Sequence, residues 1–200
     1  MTTFIFQDIA ARGKTHNIIK PSTQQARDWF RAQAETVAGV NREQLLKDRK
    51  NTKMALAPTE AIGRMYMFFY DPKHKDTLPY YDRFPMIFPI DWRNNGFLGI
   101  NLHYISPYLR AKLMDALYET SNNQKYDETT KLKLSYQMLN KAIKFQYFKP
   151  CVKQYLNSHV QSNFLQVPIE SWDTALMLPT EQFAKMNKHD VWAESINRIK

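Results

Sequence analysis

The stretch Arg64–Tyr104, RMYMFFYDPKHKDTLPYYDRFPMIFPIDWRNNGFLGINLHY, decides the fold of this chain of 200 residues. Its first run, MYMFFY, is apolar on both faces and predicts a strand that is covered on both sides. Phe84–Trp92 contains two prolines, which lack a backbone donor, so this run is predicted to be an edge strand with a bulge. Asn95-Gly96 then predicts a type I′ hairpin from which Phe97–Tyr104 returns antiparallel.

Short strands joined by proline-rich loops, followed by helical periodicity, predict an α+β fold. The sheet is expected over about residues 64–105, as a small antiparallel structure of the SH3-like or half-barrel kind. Helices are expected over residues 106–163, and a short strand with further helices over residues 164–200. The last helix before residue 163 is predicted from four apolar residues at helical spacing. These residues are Val152, Tyr155, Leu156 and Val160.

Residues 1–57 are predicted to form a basic N-terminal arm with helices, ahead of a mixed α+β core over residues 58–200. Residues 1–21 show no helical period, so they are expected to be an extended arm that docks apolar side chains on its own core or on a neighbour. A helix should begin after Ser22 and stop at Gly39. The docking side chains of the arm are Phe4, Phe6, Ile18 and Ile19.

Charge is the best guide to the kind of partner. The chain carries a net charge of +9 with a pI near 9.5, and Met1–Ala57 contains ten Lys or Arg against five Asp or Glu. Such an excess favours a nucleic acid, an anionic membrane surface or an acidic protein face. No window has the length and hydropathy of a transmembrane helix, and no signal-peptide pattern is found. We therefore expect that the protein is made in the cytoplasm and does not insert into a membrane.

Two basic stretches also carry aromatic residues, the combination that holds single-stranded nucleic acid through stacking and phosphate contacts. The first is a proline-braced loop, which suits protein contact equally well because Tyr and Arg are favoured at interfaces. The second is predicted to lie on a helix whose aromatics face the core. The loop stretch comprises Lys73, Lys75, Tyr80, Tyr81 and Arg83. The helical stretch comprises Lys141, Lys144, Tyr147, Lys149 and Lys153.

The patterns expected of an enzyme are weak. No glycine-rich phosphate loop is found, and the five histidines are dispersed, so neither a bound cofactor nor a zinc site is expected. Cys151 lies eight residues from His159, too far along a helix for a nucleophile and its base. Four aspartates could form a magnesium nuclease site, although two of them also fit as strand terminators that bond to the backbone. They are Asp71, Asp76, Asp82 and Asp91, of which Asp71 and Asp82 are the strand terminators.

DPKHKDTLPYYDRFPMIFP at residues 71–89 and GFLGINLHYISPYLRAKLMDAL at residues 96–117 resemble segments of a small protein family of large contractile-tailed bacteriophages. LPTEQF at 178–183 and VWAES at 191–195 add to this resemblance. It implies a phage product, and specifically a virion component of the baseplate, tail or neck.

Two main hypotheses follow from the residues and the resemblance together. The first is a non-enzymatic structural or assembly component of the virion, which contacts other virion proteins through the arm and the loop at residues 73–83. The alternative is a basic nucleic-acid-binding protein of phage replication or DNA packaging, which uses the N-terminal region. A metal nuclease is a third possibility. Steep salt dependence of DNA binding would distinguish the alternative from the first.

Overall fold

A computed structural model of the chain describes residues 5–18, 20–48, 50–61, 63–121, 127–142, 144 and 146–198. The α-helices among these residues are α1 Ile5–Thr15, α2 Gln24–Glu35, α3 Arg42–Leu45, α4 Pro58–Ala61, α5 Pro107–Ser121, α6 Glu128–Ala142, α7 Trp172–Met177 and α8 Lys188–Asn197. The strands are β1 Thr52–Lys53, β2 Met65–Met67, β3 Tyr81–Asp82, β4 Met86–Arg93, β5 Gly96–Asn101, β6 Val152–Leu156, β7 Phe164–Val167 and β8 Phe183–Ala184.

Six strands form one open antiparallel sheet in the order β1-β7-β2-β4-β5-β6, and β3 pairs with β8 in a separate two-stranded sheet. The α+β prediction is confirmed. The SH3-like prediction is not supported, because β1, β6 and β7 lie outside residues 64–105 and extend the sheet on both sides. Helices α5, α6 and α7 pack on one face, where the main hydrophobic core lies.

The first strand of the deciding stretch is covered on both sides, as predicted. Met65 and Met67 belong to the main core, whereas Tyr66 belongs to an aromatic cluster on the other face of the sheet. The bulge in β4 is also confirmed, since its register shifts between Pro89 and Asp91. The edge position is wrong, because β4 lies between β2 and β5. The proline is tolerated there because β2 ends before it: β2 pairs only with the first two residues of β4.

The hairpin between β4 and β5 forms at the predicted place but with a different turn. Arg93 pairs with Gly96 across a two-residue turn, and neither Asn94 nor Asn95 has a positive φ. The type I′ prediction is therefore wrong. Gly96 serves another purpose, since a Cβ on it would lie 1.9 Å from the carbonyl oxygen of Tyr155. The missing side chain lets β6 approach β5.

The predicted helix at Val152–Val160 is wrong. Val152–Leu156 is strand β6, which pairs with β5 along its whole length. Its apolar residues fit a helical period, but pairing with a strand more than 50 residues earlier in the chain decides its conformation. Phe164–Val167 is strand β7, as expected, and it lies between β1 and β2.

The prediction of an extended N-terminal arm is also wrong, because Ile5–Thr15 is helix α1. Phe6 and Ile18 pack against a small cluster that includes Ile9 and Phe30, so both side chains contact the protein's own core. Phe4 and Ile19 lie outside the described residues. Helix α2 begins one residue later than predicted, since the Thr23 hydroxyl, not Ser22, accepts the backbone N–H of Ala26. The division of the chain at residue 57 stays a prediction.

Ion pairs in the interior join α2 to the core helices. The guanidinium of Arg31 lies 2.6 Å from Asp115 of α5 and 2.6 Å from Asp173 of α7. Arg42 donates to the backbone carbonyls of Thr180 and Glu181, each at 2.8 Å. Part of the basic charge of residues 1–57 is therefore used inside the fold and is not available to an outside partner.

Candidate functional site

A surface groove of about 400 Å³ runs between α5, α6 and the 3₁₀-helix Gln146–Cys151. Five apolar side chains form most of its wall, and two lysines complete it. Leu113 and Leu117 are anchored in the main core, whereas Ala116 is exposed. The apolar lining consists of Leu113, Ala116, Leu117, Met138 and Phe148. We refer to this feature as the α5–α6 groove.

Two exposed lysines line the α5–α6 groove and two more follow its lining residues closely in the chain, which makes the groove the best candidate for an anionic ligand. Lys112 and Lys141 line the groove itself. The backbone N–H of Lys144 donates to the carbonyl of Lys141 at 3.0 Å, and Lys149 follows the groove residue Phe148. None of the four forms an ion pair with another residue that the structure describes. Lys112, Lys141, Lys144 and Lys149 are called the lysine cluster below.

An exposed aromatic ring lies beside the lysine cluster. Tyr108 at the start of α5 is 64% exposed, and the Nζ of Lys112 lies 4.7 Å from the centre of its ring. Cations next to solvent-facing aromatic rings are the usual elements of a surface that binds nucleic acid. The sequence had indicated three of these lysines, but not Lys112, Tyr108 or Phe148. Phe148, between Tyr147 and Lys149, is a signal that could have extended the predicted stretch.

The loop stretch predicted as a contact surface divides between surface and interior. Tyr80 is 6% exposed and packs against Tyr104 and Phe183. Lys75 pairs with Asp71 at 2.8 Å, and its carbonyl accepts a hydrogen bond from Lys185. Lys73 and Arg83 are exposed, and Tyr81 is half-buried. Whether this loop contacts a partner stays a prediction.

Lys153, the last member of the predicted helical stretch, is not part of the lysine cluster. It lies on β6, half-buried, with its Nζ 3.9 Å from the centre of the Tyr104 ring. Burial lowers the pKa of Lys153 to about 8, and the nearby Arg198 acts in the same direction against Cys151 and Glu194. Keeping the proton on this lysine therefore opposes folding at neutral pH.

A Lys153→Met variant is expected to be more stable than the wild type, with a free energy of unfolding about 1–2 kcal/mol higher at pH 7. The gain is smaller than the pKa shift alone implies, because the contact with Tyr104 favours the charged form. The pKa of Lys153 is lower in the folded state than in the unfolded state, so the stability of the wild type rises between about pH 8 and 10.5. The difference in stability between variant and wild type therefore shrinks over this range. Urea unfolding at pH 7 and pH 10 measures it. Lys133→Met, at an exposed position of α6, should change stability by less than about 0.5 kcal/mol.

A threonine, a histidine and an aspartate form a buried chain of hydrogen bonds near β3 and β5. The Nδ1 of His103 lies 2.7 Å from Asp82, and its Nε2 lies 3.0 Å from the Thr180 hydroxyl. Such an order of groups can activate a nucleophile. Here Thr180 and His103 are 0% exposed and Asp82 is 4% exposed, so a substrate has no access to the hydroxyl. The arrangement is structural.

Asp82 is the centre of this network. Its carboxylate also accepts the side-chain amide of Asn101 and the backbone N–H groups of Phe84 and Gln182. Burial would raise the pKa of Asp82, but the nearby His103 and the hydrogen bonds from His103, Asn101 and Phe84 lower it below its ordinary value. The prediction that Asp82 terminates a strand by bonding to the backbone is confirmed. Among the described residues the four aspartates do not gather with other acids, His or Cys into a metal site.

The described helices include none that is both long and apolar enough to cross a bilayer.

A comparison with protein families decides between the hypotheses. A family model described as Phage T4 terminal DNA protecting protein matches residues 7–196. The chain belongs to this family. The match covers almost the whole chain and includes α5, α6 and the groove between them. No curated protein and no solved structure gives a match.

Membership in this family confirms the resemblance to a protein family of T4-like, contractile-tailed phages. It overturns the main functional hypothesis, because the family is described by protection of DNA termini and not by a role in the baseplate, tail or neck. The alternative, a basic nucleic-acid-binding protein, fits the family better. The expected location in the virion stays a prediction.

Proposed function

We propose that this protein binds the termini of linear DNA and shields them from reactions that begin at an end. The family match over residues 7–196 is the observation that carries this proposal. The lysine cluster supports it, since four exposed lysines without acidic partners in the described chain suit the phosphates of a DNA backbone. The interface therefore includes the surface of α5 and the end of α6.

Protection of this kind needs occupancy and no chemistry. An exonuclease has to reach the last nucleotide, so a protein bound there blocks it as long as it stays bound. We propose that the protein is not an enzyme. The burial of Thr180 supports this. Its hydroxyl is the candidate nucleophile in the Thr180–His103–Asp82 chain of hydrogen bonds, and it has no contact with solvent.

An exonuclease assay on linear DNA tests the proposal. Purified protein in excess over DNA ends should slow digestion of a linear duplex by an exonuclease, because the termini are covered. Cutting of the same DNA by an endonuclease at an internal site should proceed at its normal rate. If digestion from the ends is not slowed, the proposal is wrong. Equal slowing of both nucleases would also contradict it, since this would indicate coating of the whole duplex.

A further inference from the structure

The α5–α6 groove differs chemically from the lysine cluster around it. Lysines bind phosphates, and the phosphodiesters close to a terminus are the same as those in the interior of the duplex. The lysine cluster by itself therefore cannot distinguish a terminus from the interior. A protein that acts at termini needs a second contact, made to a feature that only a terminus offers.

A terminus offers the flat face of its last base. Inside a duplex both faces of a base are stacked on neighbours, whereas the last base has one free face and unstacks at a lower cost. Aromatic and apolar side chains bind such a face without regard to sequence. The α5–α6 groove presents this kind of surface, with the ring of Phe148 and the side chains of Leu113 and Met138.

We infer that the α5–α6 groove accepts the base of the terminal nucleotide while the lysine cluster holds the adjoining phosphates. This inference rests on the proposed function. A nucleotide suits the site better than an apolar helix of another protein does, because two lysines line the groove and two more are exposed close to it in the chain. None of the lining residues that the structure describes is an acid. The volume of about 400 Å³ lies within the range of small-molecule sites.

Two kinds of substitution test the inference on the full-length protein: one fills the groove and the other removes the aromatic ring from its lining. Ala116→Leu adds an aliphatic side chain at an exposed position, so it fills the groove without disturbing the core. Phe148→Ala removes the ring, and its thermal unfolding is measured because Phe148 is half-buried. Ala11→Leu, at an exposed position of α1, is the matched control. Affinity is measured for a short open duplex and for the same duplex with both ends closed by hairpins.

Both groove variants should bind the open duplex about 5- to 100-fold more weakly, the range expected for losing one stacked base. Their binding to the closed duplex should not change, and Ala11→Leu should match the wild type on both. In the wild-type complex, a 2-aminopurine at the terminal position should change its fluorescence, whereas one at a central position should not.

The two ways of failing are distinguishable. If the wild type binds open and closed duplexes equally, the proposed function fails and the inference fails with it. If the wild type prefers open ends and folded Ala116→Leu keeps that preference, the proposed function stands and the inference is overturned. The groove would then belong to another partner. A terminal 2-aminopurine whose fluorescence stays constant on binding would likewise overturn it.

Discussion

Asp82→Ala is expected to lower the free energy of unfolding by about 3–5 kcal/mol, because it removes a buried carboxylate together with the hydrogen bonds that it accepts. The carboxylate accepts four hydrogen bonds, from two side chains and two backbone N–H groups. Removing it leaves all four donors without a partner in a place that water does not reach. Because β3, β5 and the segment before β8 meet at this carboxylate, the loss should reach the whole fold. Chemical denaturation at pH 7 measures it.

An exposed aspartate provides the control for this prediction. Asp91 is exposed and its pair with Arg93, at 3.5 Å, is a surface contact, so Asp91→Ala should change stability by less than about 0.5 kcal/mol. The pH dependence gives a second check. The pKa of Asp82 is lowered on folding, so its contribution is present above about pH 5 and is lost as the pH falls. A similar loss of stability in both variants would show that the network does not hold the fold together.

Reversing two charges of the lysine cluster should produce the largest effect on function. Lys141→Glu with Lys144→Glu is expected to weaken binding to linear DNA roughly 30- to 100-fold near 0.15 M salt, because two phosphate contacts become repulsive. Protection against the exonuclease should fall with it. The slope of log affinity against log salt should become less steep by about 2, from roughly −3 to −4 in the wild type.

Lys47→Glu with Lys50→Glu is the matched control for charge. Both lysines are exposed after helix α3 and lie outside the lysine cluster, so the same change in net charge should weaken binding only a few-fold. Filter binding or fluorescence anisotropy across a salt series compares the two double variants. Should the control variant lose as much affinity as the cluster variant, the interface would have to be placed on the N-terminal region.

The sequence by itself determined the local features of this protein. Asp82 ends β3 by bonding to the backbone, a proline marks the bulge in β4, and the apolar run at Met65 forms a strand that is buried on both faces. Each of these depends on a few neighbouring residues, because capping and periodicity act over one or two turns. Net charge likewise indicated an acidic partner without knowledge of the fold.

Only the tertiary structure decided what depends on distant pairing. Val152–Leu156 has helical spacing and became a strand because β5 offers a free edge and Gly96 gives it room. Arg31 counts toward the basic charge of residues 1–57, but it is neutralised inside the fold by Asp115 and Asp173. The candidate site followed the same rule. Lys112 and Lys141 are 29 residues apart, and packing of α5 against α6 brings them to one groove. No local sequence pattern relates residues so far apart in the chain, so the groove could be found only in the folded structure.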